Sequence, residues 1–217
     1  MRILPDRAQS GEEGMHLAYL TYGPTHTKQE HPIGYSAMYL NQLRQELGRM
    51  MEMAKENTRA GFQAVLNRDM NCLAQAESTE EYIDYLNKEI SQFISKIIVH
   101  ETNERDSAAI SAYFKITGNI ERIGDHAMNI GEYTGMVQEK DIRFSPAAQE
   151  EIRQMQAVCM EVLDALEDAS GTAVERLTKV AALEQRMDDM TEQFRRSQLE
   201  RMRGGSCSEE ACILFSE

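Results

Sequence analysis

From Ser36 onward, apolar residues recur with the helical period and are scarcely interrupted by proline or glycine. Three of the four prolines precede Ser36, and no run of alternating β-branched residues typical of a strand is present. In the first long stretch the apolar set is Leu40, Leu43, Leu47, Met50, Met51, Ala54, Phe62 and Val65. This pattern predicts an all-α fold, an antiparallel helical bundle.

Turn and capping signals divide this region into five helices and the start of a sixth. Ser78 or Thr79 is expected to cap the second helix, and Ser145-Pro146 is expected to start the fourth. Gly171 is expected to separate the fourth helix from the fifth. The expected helices cover about 36–76, 78–100, 106–137, 145–169 and 172–202, and a sixth begins within the segment SEEACILFSE.

An internal repeat is visible between two acidic helical segments. The segment EEYIDYLNKEISQF from Glu80 aligns with EQRMDDMTEQFRRS from Glu184, so that acidic and apolar positions match. The repeat predicts two three-helix units, of which the second is truncated. The expected organisation is a loosely packed leader or linker over 1–35, a first repeat over about 36–140 and an incomplete second repeat over about 145–217.

Composition excludes several classes of protein. A net charge of −13 is unsuited to a nucleic-acid surface, which needs a basic patch. No signal peptide and no apolar run long enough for a membrane-spanning helix is present. Because the four cysteines are scattered without a C-x-x-C pair, we expect buried, reduced thiols and no disulfide framework.

Three segments share the spacing Glu-x-x-x-Asp, which places two carboxylates on one face of a helix. Like charges at this spacing repel, and a bound cation removes the repulsion. Carboxylate oxygens suit hard cations. The candidate metal ligands are Glu80, Asp84, Glu121, Asp125, Asn129, Glu184 and Asp188.

The segment NIERIGDHAMNIGEY, residues 119–133, closely resembles the signature of the PhoU family. The resemblance implies an all-α bundle of two three-helix repeats, with acidic motifs that hold multinuclear iron or zinc clusters. It carries over directly to Glu121 and Asp125, with Glu80 and Asp84 as the partner motif of the first repeat. Glu184 and Asp188 match the first motif of the second repeat, whose final motif is missing here.

The segment RDSAAISAYFKITG before this signature departs from free-standing PhoU proteins. It is more similar to the PhoU-like domain behind the membrane domain of bacterial sodium-dependent phosphate cotransporters. The resemblance therefore implies a metal-binding regulatory domain that controls phosphate uptake on the cytoplasmic side of the membrane. Its implied partners are an upstream transporter membrane domain, or a signalling kinase or transport ATPase. Apolar surface left by the truncated repeat makes a homodimer a further expectation.

Other classes of helical protein are alternatives to this interpretation. A di-iron enzyme of ferritin type needs Glu-x-x-His motifs, and none is present. A histidine-kinase helix pair around His100 would need a nucleotide-binding motif, which is also missing. Because no nucleophile constellation or phosphate-binding loop is visible, the chain is not expected to be an enzyme. A structural or interaction bundle without metal is the main alternative function.

Overall fold

The computed structural model describes residues 14–20 and 35–216, and every regular element within them is helical. The helices are α1 (Tyr35–Asn67), α2 (Met70–Ile98), α3 (Glu104–Glu139), α4 (Pro146–Glu167), α5 (Ala173–Arg203) and α6 (Glu209–Ser216). The predicted all-α class is confirmed, while the division into two three-helix repeats stays a prediction. None of these described helices combines the length and the apolar character needed to cross a membrane.

The described chain divides into two compact units. The first comprises the described residues up to Met51 together with Glu81–Glu121. Its core contains Leu43, Met50, Ile83, Leu86, Ile90 and Ile110, none more than 1% exposed. Along α1 and α2 these residues recur three, four or seven positions apart, which is why each of these two helices presents one apolar stripe.

A short segment, 14–20, packs onto the first unit through a polar network. Leu20 is buried, and the backbone N–H of Tyr19 donates to the carboxylate of the fully buried Glu46 at 2.7 Å. Arg49 donates to Glu46, to the Tyr82 hydroxyl and to the His16 carbonyl. The expectation of loose packing over 1–35 is therefore wrong for 14–20, because a buried carboxylate requires these donors. The rest of that stretch lies outside the described residues, apart from Tyr35 at the start of α1.

The second unit comprises Glu52–Glu80 together with the described residues from 122 onward. One core cluster unites Val65 of α1, Val137 of α3, Ile142 of the following loop and Ala211 and Leu214 of α6. In the same unit, Lys55 of α1 lies 2.8 Å from Asp164 and 2.7 Å from Glu167 of α4. These hydrogen bonds, led by that of Asp164, raise the pKa of Lys55 well above its usual range and tie α4 to α1.

The first predicted helix is two helices in the structure. Expected over 36–76, it ends at Asn67, because Arg68 adopts a left-handed φ of 58°. Asp69 then accepts a hydrogen bond from the Asn71 N–H at 2.9 Å and starts α2. The predicted cap at Ser78 or Thr79 is wrong, since both lie inside α2, where Thr79 donates to the Gln75 carbonyl. The apolar period continues across the break and therefore does not reveal it.

The starts of α4 and α5 agree with the predictions. The Ser145 side chain caps α4 by accepting from the Ala148 N–H, and Pro146 occupies the first turn. Thr172 and Glu175 form a reciprocal capping box at the start of α5. This bonding lowers the pKa of the Glu175 carboxyl, chiefly through the Thr172 backbone N–H. Local side-chain chemistry is thus sufficient to place these two boundaries.

The cysteines differ from the prediction at two positions. Cys207 and Cys212 form a disulfide, whereas Cys72 and Cys159 are free. The expectation of four reduced thiols is wrong because the turn after α5 folds α6 back and brings its Cys212 next to Cys207. Burial raises the pKa of both free thiols, and the hydrogen bond to Asp69 raises the pKa of Cys72 further.

Candidate metal centre

Three of the predicted ligands lie together. Glu80 is the last residue of α2 that belongs to the second unit, and Asp125 lies on α3 in the same unit. Their carboxylate oxygens lie within 4.8 Å of each other. Asp84, one turn further along α2, completes a set of three whose ligand atoms all lie within this distance of one another. Glu80 and Asp125 are half-buried and Asp84 is exposed. Among the described residues, this is the one group of three or more His, Cys, Asp or Glu side chains close enough to share an ion.

Small residues explain why the helices can come so close. A Cβ added at Gly61 of α1 would lie 2.4 Å from the Ala127 carbonyl oxygen of α3. A Cβ added at Gly131 of α3 would lie 3.3 Å from Leu73 Cδ1 of α2. The glycines of NIERIGDHAMNIGEY are therefore explained in part by close helix packing, as Gly131 shows.

The register of α2 against α3 follows from these contacts. Leu73 faces Gly131, and Glu80 lies seven residues, or two turns, beyond Leu73. On an antiparallel partner, two turns back from Gly131 is residue 124, next to Asp125. The contact between Leu73 and Gly131 therefore sets the level at which the carboxylates of α2 and α3 meet.

Glu121 and Asn129 flank Asp125 on α3, one turn before it and one turn after it. Glu121 is half-buried and Asn129 is exposed, and Glu121 is not part of the group of three. Asn129 lines a shallow surface depression with His126 and Glu132, and all residues of that depression belong to α3. The structure thus places both residues beside the cluster, on the face that continues from Asp125.

Glu184 and Asp188 of α5 are exposed, and no third His, Cys, Asp or Glu side chain of the described chain joins them within reach of one ion. Their neighbour Arg186 pairs with Glu161 of α4 at 3.1 Å. The two acidic motifs that the repeat relates therefore have different surroundings here. Their assignment as ligands stays a prediction.

The cluster offers hard oxygen donors and no nitrogen or sulfur donor. Two carboxylates about 4 Å apart repel by roughly 1 to 4 kcal/mol in surroundings between water and a protein surface. A cation between them replaces this repulsion by attraction. Oxygen-only donors suit ferric iron, manganese, magnesium or calcium better than zinc, which takes histidine and cysteine more readily.

Two features were missed by the sequence analysis. The polar network of Glu46, Arg49 and Tyr82 combines residues far apart in the chain, so no local signal reveals it. The disulfide had a signal: Cys207 and Cys212 are five residues apart and lie shortly after Gly204-Gly205, where α5 ends and the chain turns.

The fold and cluster define a class: an all-helical protein with carboxylates gathered between two antiparallel helices. Comparison with known families gives a match to the PhoU domain over residues 47–134. This range contains Glu80, Asp84, Glu121, Asp125 and Asn129, and it ends before Glu184 and Asp188. The resemblance to the PhoU family is therefore supported over these residues, while the likeness to the cotransporter domain stays a prediction.

The curated relatives that this chain resembles are also PhoU proteins. The phosphate-specific transport system accessory protein PhoU homolog 1 of Thermotoga maritima is 23% identical over 181 residues, covering 81% of this chain and 76% of that protein. PhoU homologs from two strains of Xylella fastidiosa are 33% identical over 93 residues, covering 43% of this chain and only 39% of each homolog. These names denote accessory proteins of phosphate transport, which agrees with the prediction of a non-enzymatic chain. No solved structure gives a significant match.

Proposed function

We propose that this chain is a PhoU-like regulatory domain that controls phosphate uptake and binds a cation through Glu80, Asp84 and Asp125. The observation that carries the proposal is the carboxylate cluster, which lies inside the range matched by the PhoU domain. The relatives' role as accessory proteins of phosphate transport supports a regulatory function for this chain too.

The donor set fits a hard cation, so ferric iron suits it better than zinc. Glu121 and Asn129, one turn to either side of Asp125, would complete the shell or hold a second ion of a multinuclear centre. When bound, the metal would supply positive charge that holds α2 against α3. The residues of this chain supply the donors and, through the small residues of α3, the close helix approach.

Elemental mass spectrometry of the purified chain, after reconstitution with iron or zinc, tests metal binding. Two variants remove the same charge from the same motif: Glu80→Gln/Asp84→Asn and Glu184→Gln/Asp188→Asn. We expect bound iron in the wild type and in the α5 variant, and loss of metal in the α2 variant while its helical circular dichroism is retained. Equal metal content in the two variants would disprove this site.

The regulatory role has its own test. Phosphate uptake would be measured in a bacterium whose own PhoU protein has been deleted, with and without expression of this chain. We expect the chain to lower uptake, and the α2 variant to do so less. An effect that the α2 variant retains in full would favour the alternative function, an interaction bundle that works without metal.

We infer that the domain acts on the cytoplasmic side of the membrane, following the membrane domain of a sodium-dependent phosphate transporter, with a signalling kinase or transport ATPase as alternative partners. The genomic sequence upstream of Met1 tests the first arrangement. A continuous reading frame encoding membrane-spanning helices is expected, and a stop codon directly upstream would exclude it.

Self-association is a further part of this proposal. Leu166 at the end of α4 and Val174 and Leu177 at the start of α5 are 44%, 72% and 69% exposed. Apolar residues grouped at one helix connection are candidates for a homodimer contact. Light scattering should give twice the monomer mass, and Leu177→Lys should restore the monomer. A monomer at high concentration would contradict this.

A further inference from the structure

Helix α6 covers the core of the second unit, although it has only eight residues. Its buried Ala211 and Leu214 pack on Val65 and Val137. Leu214 and Phe215 also form one wall of an apolar cavity of about 370 Å³, together with aromatic residues such as Phe62 and Phe194. Removing α6 would therefore take away one wall of this partly open cavity and expose the core residues beneath it.

A local hydrogen bond and a cation–π contact add to this apolar packing of α6. The Ser208 hydroxyl accepts a hydrogen bond from the Ala211 N–H at 3.1 Å. The Arg201 guanidinium lies over the Phe215 ring, 5.5 Å from its centroid, while pairing with Glu151 of α4. An isolated helix of this length is not stable in water, so α6 depends on what attaches it.

The disulfide is the covalent attachment. Cys207 lies half-buried in the turn after α5, and Cys212 lies 4% exposed on α6. The buried Gln198 of α5 donates from its side-chain nitrogen to Cys207 Sγ at 3.6 Å. The bridge thus links the first buried turn of α6 to a sulfur that is itself held by α5.

We propose that this pair is a redox-sensitive clasp. In the disulfide form, α6 stays docked and forms one wall of the apolar cavity. In the dithiol form, α6 undocks far more often and exposes Val65, Val137 and the cavity wall. The redox partner is a small thiol and its disulfide, of the glutathione class. This inference is independent of the carboxylate cluster and of the proposed control of phosphate uptake.

The clasp opens and closes by thiol–disulfide exchange. The external thiolate attacks Cys207 Sγ, the more accessible sulfur, forming a mixed disulfide while Cys212 leaves as a thiolate and takes a proton from water. A second external thiolate then attacks the external sulfur and releases Cys207, which is protonated in turn. Two small thiols become one small disulfide, and two electrons reduce the protein pair. Oxidation is the reverse sequence.

Hydrogen–deuterium exchange of the full chain, equilibrated with the reduced or the oxidised small-thiol couple, tests the clasp. We expect the amides of α6 to exchange at least about tenfold faster in the reduced protein, and those of α2 to be unchanged. Cys207→Ser/Cys212→Ser should exchange fast under both conditions. Cys72→Ser should respond as the wild type does, because this free thiol lies on α2 and does not line the cavity beneath α6.

Two results would overturn the proposal. Peptide mapping without reductant could find no link between Cys207 and Cys212 in the oxidised couple. Alternatively, the link could form while α6 exchanges at the same rate in both states. If the double serine variant loses its helical circular dichroism, the comparison of oxidised and reduced wild type still decides the matter.

Discussion

Gly61 has no room for a side chain. An added methyl group would lie 2.4 Å from the Ala127 carbonyl oxygen, and a backbone atom cannot move aside as a flexible side chain can. We expect Gly61→Ala to lower the free energy of unfolding by about 1 to 3 kcal/mol, although alanine favours helix. Urea denaturation followed by circular dichroism measures the change.

Gly135 of α3 supplies the matched control in the same unit, since a Cβ added there meets nothing within 4 Å. Gly135→Ala should raise stability by up to about 1 kcal/mol, the usual gain of alanine over glycine in a helix. If both variants gained stability, α1 and α3 would not approach each other as closely as described.

Substitutions at Arg68 test whether the chain breaks between α1 and α2. Its φ of 58° is unfavourable for a residue with a Cβ. Arg68→Gly and Arg68→Ala both lose the ion pair with Asp141, which lies 2.8 Å away, and differ only in backbone freedom. We expect the glycine variant to be more stable than the alanine variant by about 1 kcal/mol in thermal unfolding. A continuous helix over 36–76 would give the opposite order.

Two helix starts were predicted correctly, whereas the cap expected at Ser78 or Thr79 was wrong and the break at Arg68 was missed. Ser145 and Thr172 have hydroxyl groups whose local hydrogen bonds define a helix start, and both were placed correctly. Arg68 carries no comparable signal, because arginine is a good helix former and the tertiary contacts around it decide its φ. Asp69 was the available clue, as a residue that commonly caps a helix.

At the scale of the element, Lys55 of α1 ties α4 to α1 through ion pairs. Lys55 is 12% exposed and bonds Asp164 and Glu167. Lys55→Met should lower the free energy of unfolding by about 1 to 2 kcal/mol, a modest figure because Asp164 is exposed. Lys179→Met, which removes a 4.0 Å contact with Asp168, is the control and should cost less than about 0.5 kcal/mol.

The pH dependence of this contribution has a definite sign. Because the folded pKa of Lys55 is raised above its unfolded value, the stabilisation is fully present below the unfolded pKa. It is lost as the pH rises through the folded pKa. The stability difference between the wild type and Lys55→Met should therefore be constant from neutral to mildly alkaline pH and shrink only in strong alkali. A difference that disappears at neutral pH would contradict the assignment.

At the scale of the whole molecule, the net charge of −13 opposes compaction. Thermal unfolding should shift to higher temperature as sodium chloride is added, because salt screens the repulsion. Manganese at matched ionic strength should add a further shift if it binds the cluster. The variant Glu80→Gln/Asp84→Asn should lose this additional rise in unfolding temperature with manganese. The variant Glu184→Gln/Asp188→Asn should keep it. Equal shifts in both variants would indicate screening alone.

The residue pattern predicted the helical class and the acidic faces, whereas the pairing of the Glu80 motif with the Asp125 motif was implied only by the family resemblance. Glu80 and Glu184 stand in the same spacing, and the sequence treats them alike. Among the described residues, Glu80 lies within reach of one ion shared with Asp125 of another helix and Glu184 has no such group, because Gly131 admits Leu73 and sets the register of α2 on α3. Such pairing depends on contacts between distant residues, which a periodic pattern does not contain.

The segment 14–20 also bears on where this protein can be shortened. A chain made to begin at Tyr35 would keep all six helices that the described residues form. It would nevertheless remove the Tyr19 amide from the Glu46 carboxylate and uncover the site occupied by Leu20. Trimming at the first helix would thus leave a buried acid short of a donor, and a fragment for crystallisation or spectroscopy is better started before Gly14.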